Sequence, residues 1–130
     1  MVSRALLVLA LALEGCVSAG PDGPLEPLVV GAEQHLTIEW QPARSNQPTV
    51  VWGYVNNPSP NTFDRVRLLV EGLDPAGGIL AQRLVWAPGL LGSWGRVYFE
   101  APMGPAPAYR VRVFSYDRVE NGGRRRGPFR

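Results

Sequence analysis

Residues 49–61 read TVVWGYVNNPSPN: eight residues of mostly β-branched and aromatic character that run into a cluster of Asn, Pro and Ser. That composition suits a pleated, half-buried strand followed by a turn. With the period of two of an extended chain, Val51, Gly53 and Val55 share one face and Val50, Trp52 and Tyr54 the other, so both faces carry apolar groups. Gly53 has no side chain to pack. The expectation is that it admits a bulky neighbour from an opposing sheet, Phe99 or Trp86.

The same texture extends in both directions. Short runs of this type recur near 28–32, 36–40, 65–73, 79–86, 96–100 and 109–117, which with 49–56 makes about seven strands, and no stretch shows a helical period. The connections at 41–48, 57–64, 88–95 and 101–107 all contain Pro or Gly. Asp74-Pro75-Ala76-Gly77-Gly78 reads as a tight hairpin turn whose glycines take positive φ. In 65–73 Val66, Leu68 and Val70 alternate with Arg67, Leu69 and Glu71, and in 109–117 Tyr109, Val111 and Val113 alternate with Arg110 and Arg112, which gives each strand a core face and a wet face. The 130 residues include 45% hydrophobic residues, 15 Gly and 13 Pro, too apolar for a disordered chain and too rich in breakers for a helical one. The predicted fold is a small all-β, antiparallel sandwich over 28–119.

The residues ahead of it carry an address. Arg4 precedes an apolar run from Ala5 to Leu13, ALLVLALAL, too short to cross a hydrocarbon core of ~30 Å as a helix, so 1–15 reads as a removable signal peptide. Leu13-Glu14-Gly15-Cys16 resembles the lipobox of bacterial lipoproteins, with Glu14 as its one departure. The resemblance implies cleavage before Cys16, a diacylglyceryl thioether on its sulfur, and a membrane partner reached through the lipid. Val17 differs from the Asp that marks inner-membrane retention, which points to the outer membrane where a host has two. Cys16 is the only cysteine, so no internal disulfide forms. Val17-Ser18-Ala19 offers a second cut, which would release a soluble periplasmic or secreted protein. Residues 16–27, rich in Gly and Pro, then serve as a linker.

At the far end, 120–130 reads as a flexible basic tail. All 13 basic residues are Arg, and Arg124, Arg125, Arg126 and Arg130 fall in the last ten residues, which hold no acid; the remaining 9 Arg against 11 acids leave the body at −2. Arg124, Arg125 and Arg126 could touch anionic lipid headgroups. An exported chain has no nucleic-acid partner.

Val51-x-Gly53-x-Val55-x-Asn57, the aliphatic strand closing in Asp74 and a Gly turn, Ala87-Pro88-Gly89, Tyr98-Phe99 and Tyr109-x-Val111-x-Val113 together resemble the FxLyD-type domains of secreted and lipid-anchored prokaryotic proteins. The resemblance spans about half the chain and implies an immunoglobulin-like sandwich without catalytic residues.

The residues themselves argue against catalysis. His35 is the sole histidine; Glu33, His35 and Glu39 share a parity opposite to Leu36 and Ile38 and so decorate a solvent face, and zinc usually needs three or four such ligands, so no metal or other cofactor is expected. Ser45, Ser59, Ser93 and Ser115 have no elbow motif and only one histidine to act as base. Asp64 and Asp74 sit in turn sequences that favour local backbone bonds, and Gly77-Gly78 joins two strands rather than capping a phosphate-binding helix. What remains is binding or scaffolding. Trp52 and Tyr54 with Arg110 and Arg112 form the expected surface, an aromatic and guanidinium patch for an envelope protein or a glycan.

Overall fold

The structure is a computed structural model and describes residues 23–44 and 49–120. Among these, six strands form two antiparallel three-stranded sheets: β1 (Thr37–Arg44), β2 (Thr49–Asn56) and β5 (Arg96–Met103) in the order β1-β2-β5, and β3 (Thr62–Leu73), β4 (Ile79–Ala87) and β6 (Ala108–Val119) in the order β4-β3-β6. The chain crosses between sheets after β2, β4 and β5. This is the Greek-key order of an immunoglobulin-like sandwich without its last strand. The seventh strand of that fold would pair with β6. Here the outer edge of β6 is met by Leu28, whose N–H donates to the Phe114 carbonyl at 2.8 Å.

The core follows from alternation. Val51 and Val55 of β2, Val66, Leu68 and Val70 of β3, Phe99 and Ala101 of β5, and Val111 and Val113 of β6 all point between the sheets and are buried. A buried Val or Phe contributes about 1.5–3 kcal/mol relative to exposure, so these alternating positions carry the fold. Two bulges shift the phase. Around Asp64–Arg67 the pairing of β3 with β6 slips, with Arg65 at φ 49, and Phe114 is the extra residue between Val113 and Ser115. As a result Phe63 and Tyr116 turn inward and meet edge to face at 4.9 Å, while Phe114 turns to the outer face.

Three expectations are corrected. Residues 28–32 are not a strand: Gly31 takes φ 78 and starts a 3₁₀ turn, Ala32–Gln34, with Gln34 N–H donating to the Gly31 carbonyl. Val30 is thereby left 97% exposed. Second, the close neighbour of Gly53 comes from the adjacent strand of its own sheet. A Cβ on Gly53 would lie 1.9 Å from the Glu39 carbonyl oxygen and 2.7 Å from the Trp40 Cα, so β1 packs its backbone onto that position, while Phe99 is the cross-strand partner and Trp86 is exposed.

Third, the outer face of β3 is not wet. Leu69 and Glu71 are fully buried there. Leu25 is clasped by Gln82 of β4, its N–H donating to Oε1 and its carbonyl accepting from Nε2, both at 3.0 Å, and three residues later Leu28 bonds to β6. The segment 25–28 therefore crosses the sheet over its central strand. The last residues of the expected linker are a docked strap.

Candidate functional site

The strap decides what the expected arginines do. Glu71, with no exposed surface, accepts from Arg110 Nε at 2.7 Å and Arg112 Nη2 at 3.0 Å on one oxygen, and from Gln82 Nε2 at 2.9 Å on the other. Burial pushes the Glu71 carboxyl up, but the Arg110 and Gln82 hydrogen bonds and the charges of both arginines outweigh it and hold it below its ordinary value. On the same face the Arg67 guanidinium lies between the rings of Trp86 and Phe114, at 5.1 and 5.0 Å. Arg110 and Arg112 are thus bound into a buried carboxylate cluster on the β4-β3-β6 sheet. They do not join Trp52 and Tyr54, which lie on the outer face of the other sheet.

No described segment crosses that second face as the strap crosses the first. β2 turns Val50, Trp52, Tyr54 and Asn56 outward, and its antiparallel register sets Tyr54 against Tyr98 and Trp52 against Glu100 of β5. Ring centroids are 6.1 Å apart for Trp52 and Tyr98 and 5.6 Å for Tyr54 and Tyr98. The cation of this face is Arg96, whose guanidinium carbon sits 3.9 Å over the Tyr54 ring. The Tyr98 hydroxyl donates to Glu100 Oε2 at 2.7 Å, and that bond, with a small burial effect and the carboxylate's charge, raises the phenol to about 12. From β1, Glu39 pairs with Tyr54 and Gln41 with Trp52.

The surface is hollowed beside its rings. A depression of about 360 Å³ lies between Val50 and Trp52 on one side and Tyr98 and Glu100 on the other. One of about 180 Å³ separates Trp52 and Tyr54 from Glu39 and Gln41. A third, of about 390 Å³, sits at the end of the strands between Asn56–Pro58 and Trp94–Arg96.

The loops at that end are stitched together by Asn57, a buried side chain whose amide donates to the carbonyls of Asn61 at 2.7 Å and Gly92 at 2.8 Å and whose oxygen accepts from Ser59 Oγ. Trp94 donates its N–H to Ser59, Asn57 donates to Gly95, and Ser93 Oγ donates to Pro60. In this frame Trp94 is held at φ 61 with its side chain 68% exposed.

The other candidate residues are elsewhere. His35 is half-buried with its ring 6.3 Å from Phe63, while Glu33 and Glu39 are exposed. Asp74 caps its own turn, accepting from the Ala76 and Gly78 amides, and Asp64 accepts from Arg65 N–H. Among the described residues no three His, Cys, Asp or Glu side chains gather into a metal-binding group, and no helix is long and apolar enough to cross a membrane. A further groove of about 420 Å³ runs along the open side of the sandwich between Leu36–Ile38 and Val111–Val113, with aliphatic walls. Cys16 and Arg124–Arg126 lie outside the described residues.

Arg96, Tyr98 and Glu100 were missed as site residues. Their outward alternation against Phe99 and Ala101 was available in the sequence, but the pairing of β5 with β2, which brings them to Trp52, was not. Comparison with protein-family models, curated proteins and solved structures gives no match.

Proposed function

We propose that this chain is a lipid-anchored cell-envelope protein whose sandwich works as a binding module through the outer face of β1-β2-β5. The observation that carries the binding reading is the outward cluster of half-buried Trp52 and Tyr54 with exposed Tyr98 and Arg96, flanked by carboxylates and hollowed at three places. Amphipathic rings with polar neighbours are what protein surfaces use to hold partners. Catalysis would need a nucleophile beside a base or a carboxylate free to move protons. The most deeply buried carboxylate, Glu71, is instead saturated by Arg110, Arg112 and Gln82.

The anchor rests on the sequence: the apolar run 5–13, the lipobox-like Leu13-Glu14-Gly15-Cys16 and a lone thiol. At ~0.8 kcal/mol per buried methylene, the acyl chains of a diacylglyceryl group hold a protein stably on a bilayer where one chain would not. Arg124, Arg125 and Arg126 follow the end of β6 and would add attraction to anionic headgroups. The competing reading, a soluble periplasmic or secreted protein, is supported by Val17-Ser18-Ala19.

Mass spectrometry of the mature N-terminus separates the two: a diacylglyceryl Cys16 is expected, and an unmodified chain starting at Gly20 refutes the anchor. For the binding face, cross-linking in cells with wild type and Trp52→Ala is expected to lose partners in the variant at an unchanged melting temperature. An unchanged partner set refutes it.

A further inference from the structure

We infer that the outer face of β1-β2-β5, extended onto the Trp94 loop, is a binding track for a linear neutral polysaccharide; this rests on reading that face as the binding surface and names its ligand class. Along β5, Arg96, Tyr98 and Glu100 follow at alternate positions over about 13 Å at ~3.3 Å per residue, and Trp94 stands in the turn before them. The Trp94 depression opens at one end, against Asn56 and Arg96, and the Trp52 depression at the other, against Tyr98 and Glu100. A chain of several pyranose rings matches this length and repeats its chemistry. Each ring has an apolar face of C–H groups that stacks on an aromatic ring, and an equator of hydroxyls that hydrogen-bond carboxylates, amides and guanidinium groups. Those are the groups bordering the track: Glu39, Gln41, Asn56, Arg96 and Glu100.

The alternatives fit less well. A polyanion would meet Glu39 and Glu100, and Arg96 already lies on Tyr54. An apolar ligand needs an enclosed cavity, whereas these depressions are open. A peptide added as a strand would pair with the outer edge of β5 and leave the rings of Trp52 and Tyr54 unused, because β2, which carries them, is hydrogen-bonded on both sides, by β1 and β5.

Trp94 supplies the independent indication. A bulky residue at φ 61 is strained, and glycine would form the same turn without that strain. Yet the Asn57 hub, the Trp94–Ser59 bond and the Gly95–Gly92 bond hold an indole there, two-thirds exposed, at the mouth of a depression. Rigid presentation of an exposed ring at an unfavourable backbone position marks a contact made with something outside the chain.

The test uses the full chain in detergent and calorimetric titration with β-1,4-linked oligomers of N-acetylglucosamine and of glucose, from disaccharide to hexamer. Affinity is expected to climb with length in at least one series. Trp94→Gly, which removes the ring and relaxes the backbone, should weaken the hexamer about tenfold while leaving the disaccharide unchanged, as the loss of one stacked ring predicts. Tyr98→Ser, at an exposed position, should weaken both. No binding in the millimolar range, affinity independent of length, or a Trp94→Gly variant that binds the hexamer normally overturns the inference. If neither oligomer series binds but anionic vesicles or extended peptides bind in a Trp52-dependent way, the binding face stands and the glycan falls. If nothing depends on Trp52, both fall.

Discussion

Glu71→Gln tests how the strap is held. Glu71 is fully buried and receives three hydrogen bonds, two of them from arginines. Glutamine keeps the shape and one acceptor oxygen but turns the other oxygen into an amine that faces the Gln82 amine. To avoid two opposed donors Gln82 has to rotate, and rotation breaks its two hydrogen bonds with the Leu25 backbone. Removing one partner of a buried ion pair costs about 3–5 kcal/mol. The Arg110 and Arg112 side chains are 42% and 31% exposed, so water recovers part of the loss, and about 2–3 kcal/mol is expected. For a domain of this size that lowers the melting temperature by about 10–20 °C.

The difference carries a pH signature. The folded Glu71 carboxyl sits below its ordinary 4.5, so its contribution is complete above the unfolded value and disappears as pH falls through the folded one. Urea titrations of wild type and variant at pH 7 and at pH 3 should give a gap that is full at the first and narrowed at the second. Amide exchange at Leu25 should accelerate in the variant. A gap under 0.5 kcal/mol at pH 7, or one independent of pH, refutes the account.

Four further outcomes follow from the same geometry. Gly53→Ala forces a methyl into the Glu39 carbonyl and should destabilise by about 3 kcal/mol or more, read by chemical denaturation. Asn57→Ala strips the hub that joins the 57–61 and 88–95 loops and should cost about 2–3 kcal/mol, with faster proteolysis at those loops as its local mark. Trp94→Gly should raise stability by roughly 1 kcal/mol in thermal melts, because the strained φ is relieved. Glu100→Gln should bring the Tyr98 phenol down from about 12 toward 10, followed by NMR titration of the ring.

The strands were legible wherever alternation ran unbroken. Residues 49–56 are β2 to the residue, because Val51, Gly53 and Val55 alternate cleanly with larger outward groups. β3 begins three residues before the expected 65, since the bulge at Asp64–Arg65 has the composition of a turn yet remains within the pairing with β6. Residues 28–32 carry the composition of a strand but follow Pro27, which cannot donate, and contain Gly31, which reverses the chain. Tertiary cover was invisible too: the period of two assigned Glu71 to water because nothing in a strand's own sequence announces a strap laid over it. The site failed for a related reason. Trp52 and Tyr54 are legible from one strand, but grouping them with Arg110 and Arg112 requires knowing which strands share a sheet, and that depends on pairings such as Trp52 with Glu100 and Glu71 with Arg110, 48 and 39 positions apart.

The two outer faces divide the chain's polar and aromatic groups between stability and display. On β4-β3-β6 the strap takes Glu71, Gln82, Arg110 and Arg112 out of circulation and covers Leu69, while Arg67 is occupied by Trp86 and Phe114. On β1-β2-β5 no described segment crosses, and the comparable material, Arg96, Glu100, Tyr98 and Trp52, stays within reach of solvent. Among the described residues the strap joins the N-terminal side of the chain to this sheet through Leu25 and Gln82. If the chain is anchored at Cys16 as proposed, tension passing through Leu25 would load the β4-β3-β6 sheet through the Gln82 clasp. The face of Trp52, Tyr54 and Tyr98 belongs to the other sheet, so that load would not pass through the proposed binding surface.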